Sequence, residues 1–470
     1  MDGICDKLIK NRNRHIFEKD LREKEKEHQM LYITNGYVTN PKTQFEGYRD
    51  ILVQGDRIVV MAERGTPLPN LLRRAGLPEN MAEERIERID AAGKIVAPGL
   101  VDVHVHFRDP GFTYKEDIAS GAAAAAKGGF TSVVLMANTK PPVDNLETLS
   151  YILEKGRKTG IHVYTCANVT MGMKGQAPVD METLSRAGAV GFTDDGIPIL
   201  NEEVLREALR RAAKLHAPVS LHEENPAYIM NNGINAGKAS AYYGIGGSKR
   251  EAEISMVERD IRLALEEEAD LSIQHISTKE AVELVRQAKK KSRHIFAEAT
   301  PHHFTLTEEA VIRYGTLAKM NPPLREEADR QAVIRGLQDD TIDMIATDHA
   351  PHSVEEKEKP LTEAPSGIIG LETALSLGIR ELVEPGYLTM LKLIEKMSFA
   401  PAGLYRLDAG YLAEGGPADL VIFDKDAVWQ VEKDKFASKA ANSPFIGEKM
   451  PGVVTYTICG GKVVYRESGI

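Results

Sequence analysis

Short apolar runs alternate with amphipathic stretches between residues 95 and 405. The runs lie near residues 100–106, 131–137, 161–167, 189–193, 218–222, 271–275, 294–299 and 342–347, and stretches of helical periodicity separate them. Runs that are apolar at nearly every position are typical of parallel strands buried on both faces. Eight β-then-α units in about 300 residues predict an α/β fold, a (β/α)8 TIM-type barrel.

Strand patterns also occur at both ends of the chain. Before the barrel they are LYITNGYV, with a turn expected at Asn35-Gly36, then DILVQ and RIVVM; after Tyr405 they are ADLVIFD, GVVTYTICG and GKVVYRE. Residues 65–85 are predicted to be an insertion, part loop and part helix. We therefore expect a small β-sandwich domain built from both chain ends, residues 30–97 and 406–470, with residues 98–405 in the barrel.

Residues 1–29 differ from the rest of the chain because they carry closely spaced charges of both signs. They contain few large apolar side chains, so they have little surface to bury. Such a composition predicts a charged N-terminal extension in the form of a solvated helix or a disordered arm. An element that binds a partner is the alternative.

Composition narrows the class of protein. The 470 residues carry a net charge of −10, and no apolar run approaches the about 20 residues of a membrane-spanning helix. An acidic chain argues against binding to nucleic acid. Three cysteines, Cys5, Cys166 and Cys459, exclude a disulfide scaffold and favour a reducing compartment. We expect a cytoplasmic protein that binds neither nucleic acid nor a membrane.

Candidate ligands for a metal end or directly follow five of the predicted barrel strands. They are His104 and His106 on the first strand, Asp194 and Asp195 on the fourth, His222 on the fifth, His275 on the sixth and Asp348 on the eighth. The carboxyl ends of all barrel strands meet at one mouth, so these side chains should converge there. Imidazole and carboxylate together are typical zinc ligands. Four histidines and at least two carboxylates are more than one tetrahedral ion needs and suit two ions with a bridging carboxylate.

Seven motifs connect the chain to a known family. They are VAPGLVDVHVHFRDPG, LMANTKPP, GFTDDG, QHISTKE, EATPHHF, KMNPPLR and IATDHAPH, followed by the tail GYLAEGGPADLVIFD. In sequence and order they resemble the dihydroorotases of the bacterial monofunctional type, in the amidohydrolase superfamily, from about residue 31 to the C-terminus. The resemblance implies an enzyme with two zinc ions per subunit. Its reaction would be the reversible, metal-hydroxide-mediated cyclisation of N-carbamoyl-L-aspartate to dihydroorotate plus water, in pyrimidine biosynthesis.

The resemblance also implies the metal ligands. His104, His106 and Asp348 match the ligands of the first zinc, and His222 and His275 match those of the second. Many amidohydrolases bridge the two ions with a carboxylated lysine, whereas the branch that this chain resembles uses the second aspartate of TDDG. Asp195 is therefore the expected bridge, and Asp194 is expected to bond the backbone or to support its neighbours.

Catalytic and substrate-binding roles follow from the same resemblance. Asp348 is the expected catalytic residue, which passes a proton between the attacking water and the leaving nitrogen. The expected substrate-binding residues are Arg108, Asn138, Asn321, His352, and the backbone of Ser366 and Gly367. The planar fork of Arg108 suits a substrate carboxylate. Residues 351–367 form a polar loop that is predicted to be a mobile lid.

Two alternative functions remain open. Another cyclic amidohydrolase, a hydantoinase or an allantoinase, would share the barrel and the H-x-H pair but usually needs the carboxylated lysine. A non-catalytic scaffold for aspartate transcarbamoylase would have lost metal ligands, whereas all six positions are intact here. As partners we expect the small-molecule substrate, a second copy of the chain in a homodimer, and, as a further possibility, aspartate transcarbamoylase.

Overall fold

The computed structural model describes residues 30–81 and 85–468. The predicted N-terminal extension, residues 1–29, lies outside the described residues, so the expectation of a helix or an arm there stays a prediction. Among the described helices, none is both long and apolar enough to cross a membrane.

The strands of the described chain fall into three sheets. They are β1 (Met30–Asn40), β2 (Phe45–Gln54), β3 (Arg57–Glu63), β4 (Ile86–Asp90), β5 (Ile95–Pro98), β6 (Leu100–Val105), β7 (Phe130–Leu135), β8 (His162–Thr165), β9 (Val219–Leu221), β10 (Leu271–Ile273), β11 (Ile295–Ala299), β12 (Met344–Ile345), β13 (Leu420–Gln430), β14 (Lys449–Cys459) and β15 (Lys462–Arg466). The chain therefore has a mixed α/β fold.

Both chain ends contribute to one eight-stranded sheet. Its order is β15-β14-β13-β5-β1-β2-β3, and β4 pairs in parallel with β1. The antiparallel pairing of β5 with β13 joins the N-terminal strands to the C-terminal strands. Strands from both chain ends thus meet in one hydrogen-bonded sheet, as expected, and their arrangement as a β-sandwich domain stays a prediction.

The turn predicted at Asn35-Gly36 is wrong. β1 continues through this dipeptide, and its register with β2 shifts between Ile33 and Gly36. Asn35 takes up the extra residue with a φ of 62°, and its backbone N–H donates to Asp50 Oδ1 at 2.9 Å. Gly36 is required because a Cβ there would lie 2.4 Å from Val96 Cγ2. The dipeptide thus forms a β-bulge, which bends β1 locally beside its neighbour β5.

Two parallel sheets occupy the middle of the chain. One has the order β6-β7-β8 and the other β12-β11-β10-β9. The run predicted as a strand at 189–193 forms only isolated parallel bridges, from Phe192 to Ala167 and to Val219. A further bridge joins Val105 to His349. The two sheets are therefore linked at both of their edges.

Most helices lie between the parallel strands along the chain or follow the last of them, β12. They span Leu68–Arg74, Ile118–Lys127, Leu146–Gly156, Met181–Arg186, Glu202–Leu215, Lys238–Tyr243, Glu251–Glu267, Lys279–Lys289, Pro301–Thr305, Glu309–Tyr314, Glu327–Gln338, Val354–Lys357, Ala374–Gly378, Met390–Ile394 and Ala400–Leu404. The first of them confirms the predicted helix in the insertion. The alanines of Ile118–Lys127 are mostly buried, and their small side chains let that helix pack closely on the sheet.

Candidate metal centre and active site

His104 and His106 lie at the carboxyl end of β6, beside Asp348 at the end of β12. His106 Nε2 is 3.0 Å from Asp348 Oδ1, and His104 Nε2 is 3.6 Å from the same oxygen. Asp102 ties the two strand ends together, because its carboxylate accepts from the backbone N–H groups of His104 and Thr347. Burial raises the pKa of Asp102 to about 7. The first predicted ligand set is thus brought together as one buried cluster.

A second buried cluster contains Asp195, His222 and His275. His222 Nδ1 and His275 Nε2 face each other at 2.9 Å, and each lies 3.9 Å from Asp195 Oδ1. Asp195 also reaches the first cluster, with 3.4 Å from Oδ1 to His104 Nε2 and 3.5 Å from Oδ2 to His106 Nε2. Asp195 is therefore the carboxylate that lies between the two histidine pairs.

The neighbouring Asp194 points away from the histidines. Its Oδ1 accepts from the backbone N–H groups of Val169, at 2.9 Å, and Thr170, at 3.2 Å. The Thr170 hydroxyl and the Asn168 amide also donate to this carboxylate. The geometry agrees with the expectation that Asp194 bonds the backbone, and it leaves Asp195 as the aspartate of the pair that faces the histidines.

Three of the four imidazoles have a polar partner on their second ring nitrogen, and two of these partners are not among the residues predicted from the sequence. Glu298 Oε1 is 2.5 Å from His104 Nδ1, and Glu224 Oε2 is 3.1 Å from His222 Nε2. Asn138, expected to bind substrate, lies instead 3.1 Å from His106 Nδ1 through its Oδ1. Its Nδ2 donates to Asp195 Oδ2 at 2.9 Å. A carboxyl or amide behind an imidazole fixes its tautomer and orientation.

The charges of the cluster stabilise one another. Burial opposes protonation of His104, but Glu298 and Asp195 together raise its pKa well above the usual range. Burial raises the pKa of Asp195, and the surrounding imidazoles, His104 first, lower it well below its usual range. Burial and the neighbouring His222 hold the pKa of His275 well below its usual range, which keeps that imidazole neutral. A neutral imidazole beside an ionised carboxylate is the form in which both bind metal.

The buried polar atoms of this cluster fit a divalent cation. Within the described residues, His104 Nε2 lacks a hydrogen-bond partner although it is buried between two carboxylates. The facing nitrogens His222 Nδ1 and His275 Nε2 can satisfy each other only if one of them carries a proton. Buried polar groups of native proteins are rarely left unpaired. Nitrogen and oxygen donors directed at common points are the ligands that zinc takes.

A cavity of about 380 Å³ opens over the cluster. It is lined by eleven of the twelve predicted site residues: His106, Arg108, Asn138, Asp195, His222, His275, Asn321, Asp348, His352, Ser366 and Gly367. The remaining one, His104, lies beneath them and is almost fully buried. A cavity of this size takes a small organic molecule.

Arg108 and His352 form one wall of the cavity. Arg108 has a φ of 57°, and its Nε donates to Pro351 O at 3.2 Å. Its Nη2 lies 3.4 Å from His352 Nε2, which in turn contacts Ser366 O at 2.8 Å. Burial lowers the pKa of His352 far below its usual range, and Arg108 lowers it further. The guanidinium is therefore the charged group of this pair.

Asn321 also lines the cavity and lies against the second histidine pair. Its Nδ2 is 3.2 Å from His222 Nε2, and its Oδ1 is buried without a hydrogen-bond partner in the described part of the chain.

A third group of possible ligands, His162, Asp419 and Cys459, lies at the start of β8 and beside the eight-stranded sheet. These side chains already have partners. His162 Nε2 bonds Asp419 Oδ2 at 3.1 Å, and Gly460 N donates to Asp419 Oδ1 at 2.7 Å. The Cys459 thiol donates to Thr131 O. Nothing in this group requires a cation.

The Amidohydrolase family matches residues 95–464 of the chain. A dihydroorotase of Clostridioides difficile is 51% identical over 437 residues, which is 93% of this chain and 100% of that protein. A dihydroorotase of Clostridium acetobutylicum is 48% identical over 93% of this chain and 100% of that protein.

The fold is similar to that of solved structures. An L-hydantoinase (dihydropyrimidinase) from Arthrobacter aurescens superposes with a TM-score of 0.82 at 25% identity, over 94% of this chain and 97% of that one. A dihydropyrimidinase from Brevibacillus agri superposes with a TM-score of 0.78 at 22% identity, over 93% and 95% of the two chains. The similarity to the second structure concerns the fold alone.

Proposed function

We infer the roles of these residues from one premise: the chain belongs to the amidohydrolase family and, within it, to the dihydroorotases. It is a hydrolase that interconverts N-carbamoyl-L-aspartate and dihydroorotate, a step of pyrimidine biosynthesis. The observation that carries this function is the near full-length identity of 51% to a dihydroorotase. The buried histidine and aspartate cluster under a small-molecule cavity supplies a site for it.

A hydantoinase is the competing function, because the fold superposes well on an L-hydantoinase. The L-hydantoinase is 25% identical to this chain, about half of the 51% sequence identity of the dihydroorotase relative. Purified protein should therefore hydrolyse dihydroorotate and leave hydantoin and allantoin nearly untouched. Turnover of hydantoin at a rate equal to or above that of dihydroorotate would overturn the assignment.

We propose that the cluster holds two zinc ions. His104, His106 and Asp348 would hold the first, His222 and His275 the second, and Asp195 would contribute to both. When bound, zinc supplies Lewis-acid chemistry, which lowers the pKa of water and polarises a carbonyl group. Support comes from the position of Asp195 between the histidine pairs and from the unpartnered nitrogen of His104.

Asp348 is the proposed catalytic residue. Its Oδ1 faces His106 and its side chain borders the cavity, so it contacts both the cluster and any bound substrate. In the hydrolytic direction the carboxylate takes a proton from the attacking water and gives it to the ring nitrogen as the amide bond breaks. In the synthetic direction it takes a proton from the ureido nitrogen and gives it to the departing hydroxyl.

Arg108 is the proposed partner of the substrate carboxylate. It is a cation of the cavity wall, and its Nη2 is not occupied by a carboxylate within the described residues. His352, Asn138 and Asn321 would contribute further polar contacts, together with the backbone of Ser366 and Gly367. For Asn138 the supporting geometry is weaker, because its amide already spans His106 and Asp195.

Glu298 is a further positioning residue, since it contacts His104 and not the cavity. Glu298→Gln is expected to weaken zinc binding about 10–100-fold, the usual effect of losing a group behind a metal ligand. The amide keeps the volume of the side chain but cannot balance a cationic or metal-bound imidazole. Zinc affinity measured by chelator competition, alongside the melting temperature of the metal-free chain, tests this expectation.

Glu253→Gln is the matched control for Glu298. Glu253 is equally buried but bonds Ser277 and Thr278. The Glu253→Gln variant should lower the stability of the fold without changing its zinc affinity. Equal zinc affinity in Glu298→Gln and the unmodified chain would remove Glu298 from the site.

We also propose that the eight predicted units form a (β/α)8 barrel, with domain boundaries at residues 97/98 and 405/406. The bridges at Phe192 and Val105 support it, because they link the two parallel sheets at both edges. The eight-stranded sheet would be the core of the second domain.

The scaffold function is disfavoured, since all six proposed ligands converge on one site. A homodimer, an association with aspartate transcarbamoylase and a cytoplasmic location stay predictions from the sequence. The buried thiols of Cys166 and Cys459, which form no disulfide, are compatible with that location.

A further inference from the structure

The loop of residues 351–367 borders the cavity at its far end. Its only helix, Val354–Lys357, is capped by Ser353, whose hydroxyl accepts from Glu356 N. Residues 362–367 of the same loop line the cavity. The conformation of residues 362–367 therefore determines the shape of the substrate pocket at this end.

Lys357 ties the two arms of this loop together. Its side chain is 6% exposed, and its Nζ donates to Pro365 O at 2.8 Å and to Gly367 O at 3.1 Å. Its own carbonyl accepts from Thr316 Oγ1. Through these three bonds one side chain and its backbone hold the cavity-lining segment against the rest of the molecule.

A second buried lysine approaches the same segment from the opposite side. Lys319 Nζ donates to Ala364 O at 2.7 Å, and Lys319 O accepts from Gly367 N at 2.8 Å. Among the described residues, neither Lys319 nor Lys357 forms an ion pair. The nearby Glu356 is engaged by Lys115 at 2.8 Å. Two ammonium groups beside the cavity thus bond carbonyl oxygens alone.

Burying two unpaired ammonium groups costs free energy, and a loop that only had to be held closed would not need them. Burying a cation without a counter-ion is unfavourable, and a neutral donor would bond the carbonyls at lower cost. Burial, and after it the charge of Lys319, lower the pKa of Lys357 to about 7. The cost is offset when an anion occupies the neighbouring cavity, because its charge favours both ammonium groups.

We propose that Lys357 is a positioning residue of the substrate loop: its ammonium holds Pro365–Gly367 in the conformation that receives the anionic substrate, and with Lys319 it adds positive potential at that wall. This inference rests on the proposed function, since it requires a substrate with a carboxylate. Lys357 does not itself line the cavity, so it acts through the loop backbone.

Lys357→Met tests the proposal, because methionine fills a similar volume without an ammonium. We expect kcat/KM for dihydroorotate to fall about 10–100-fold, mostly through KM, as for the loss of a charge-assisted hydrogen bond. The zinc content should stay that of the unmodified chain. Lys359→Met is the matched control, since it removes the same charge from an exposed position two residues away.

Limited proteolysis supplies a readout that does not depend on activity. The exposed residues Glu355, Glu358 and Glu363 offer cleavage sites for a glutamate-specific protease. Cleavage in this loop should be faster in Lys357→Met than in Lys359→Met, and dihydroorotate should slow it in the unmodified chain. Lys357→Gln, which keeps a donor but not the charge, provides a second variant and should give an intermediate KM.

The outcomes separate this inference from the function on which it rests. If the unmodified chain does not hydrolyse dihydroorotate, the proposed function fails. If it does, and both Lys357 variants match Lys359→Met in KM and in cleavage rate, the role of Lys357 is overturned.

Discussion

Asp348→Asn is expected to lower dihydroorotate turnover about 10²–10⁴-fold, the contribution of a positioned general acid–base group. Asparagine keeps the shape of the side chain but cannot carry the proton between water and the ring nitrogen. It also suits the backbone, because Asp348 has a φ of 48° and asparagine adopts this left-handed region readily. The loss should therefore be one of chemistry and not of folding.

The measurement is kcat in both reaction directions, with zinc content and melting temperature on the same samples. Asp343→Asn serves as the control, because Asp343 precedes the same strand but pairs with Lys289 and the backbone of Ala297. That control should keep near-normal kcat. Turnover of Asp348→Asn within a few-fold of the unmodified chain would assign the proton transfer to another group.

Asp195→Ala is expected to remove metal as well as activity. Its carboxylate lies between the two histidine pairs, so its loss takes a ligand from both proposed ions and leaves the imidazoles without their shared counter-charge. Zinc affinity should fall by more than the about 10–100-fold typical of a supporting residue. Metal analysis after dialysis, together with dihydroorotate hydrolysis, measures both losses.

Asp194→Ala provides the comparison within the same dipeptide. Asp194 accepts from the backbone of Val169 and Thr170, so its removal should lower the melting temperature and change zinc affinity much less. If Asp194→Ala lost the metal and Asp195→Ala kept it, the assignment of the two aspartates would be reversed.

The parallel strands and the convergence of the metal ligands could be predicted from the sequence because both depend on simple regularities. Seven of the eight near-continuous apolar runs that predict barrel strands form parallel strands in the structure, and polar residues at the ends of such strands are expected to meet at one edge. The run at 189–193 forms only isolated bridges, from Phe192 to Ala167 and to Val219. How far a short apolar run pairs with its neighbours is not visible in its local pattern.

The residues behind the ligands could not be assigned in the same way. Glu298 is not among the site residues predicted from the sequence, although it is a charged residue within the buried strand IFAEA. Asp102 occupies a comparable place in LVDVHV. A carboxylate inside an apolar strand is a usable signal, because burial is costly unless a partner is present. Which imidazole each carboxylate meets depends on the pairing of distant strands.

The substrate-binding residues are predicted from the resemblance to the dihydroorotases. The structure gives some of them contacts that the resemblance does not imply. Asn138 bonds His106 and Asp195, so it belongs as much to the metal cluster as to the substrate. Lys357 lies in no motif, and Lys319 opens the motif KMNPPLR without being assigned a role there, although both lysines are buried beside the cavity. Their importance follows from burial, which only the folded chain reveals.

Zinc titration of the metal-free chain, followed by dihydroorotate hydrolysis, tests the central claim most directly. We expect no hydrolysis in the metal-free state and a rise that ends at two equivalents of zinc per chain, with hydantoin not hydrolysed at any point. Full hydrolysis of dihydroorotate without metal, or a chain that binds two zinc ions and remains inactive, would contradict the account.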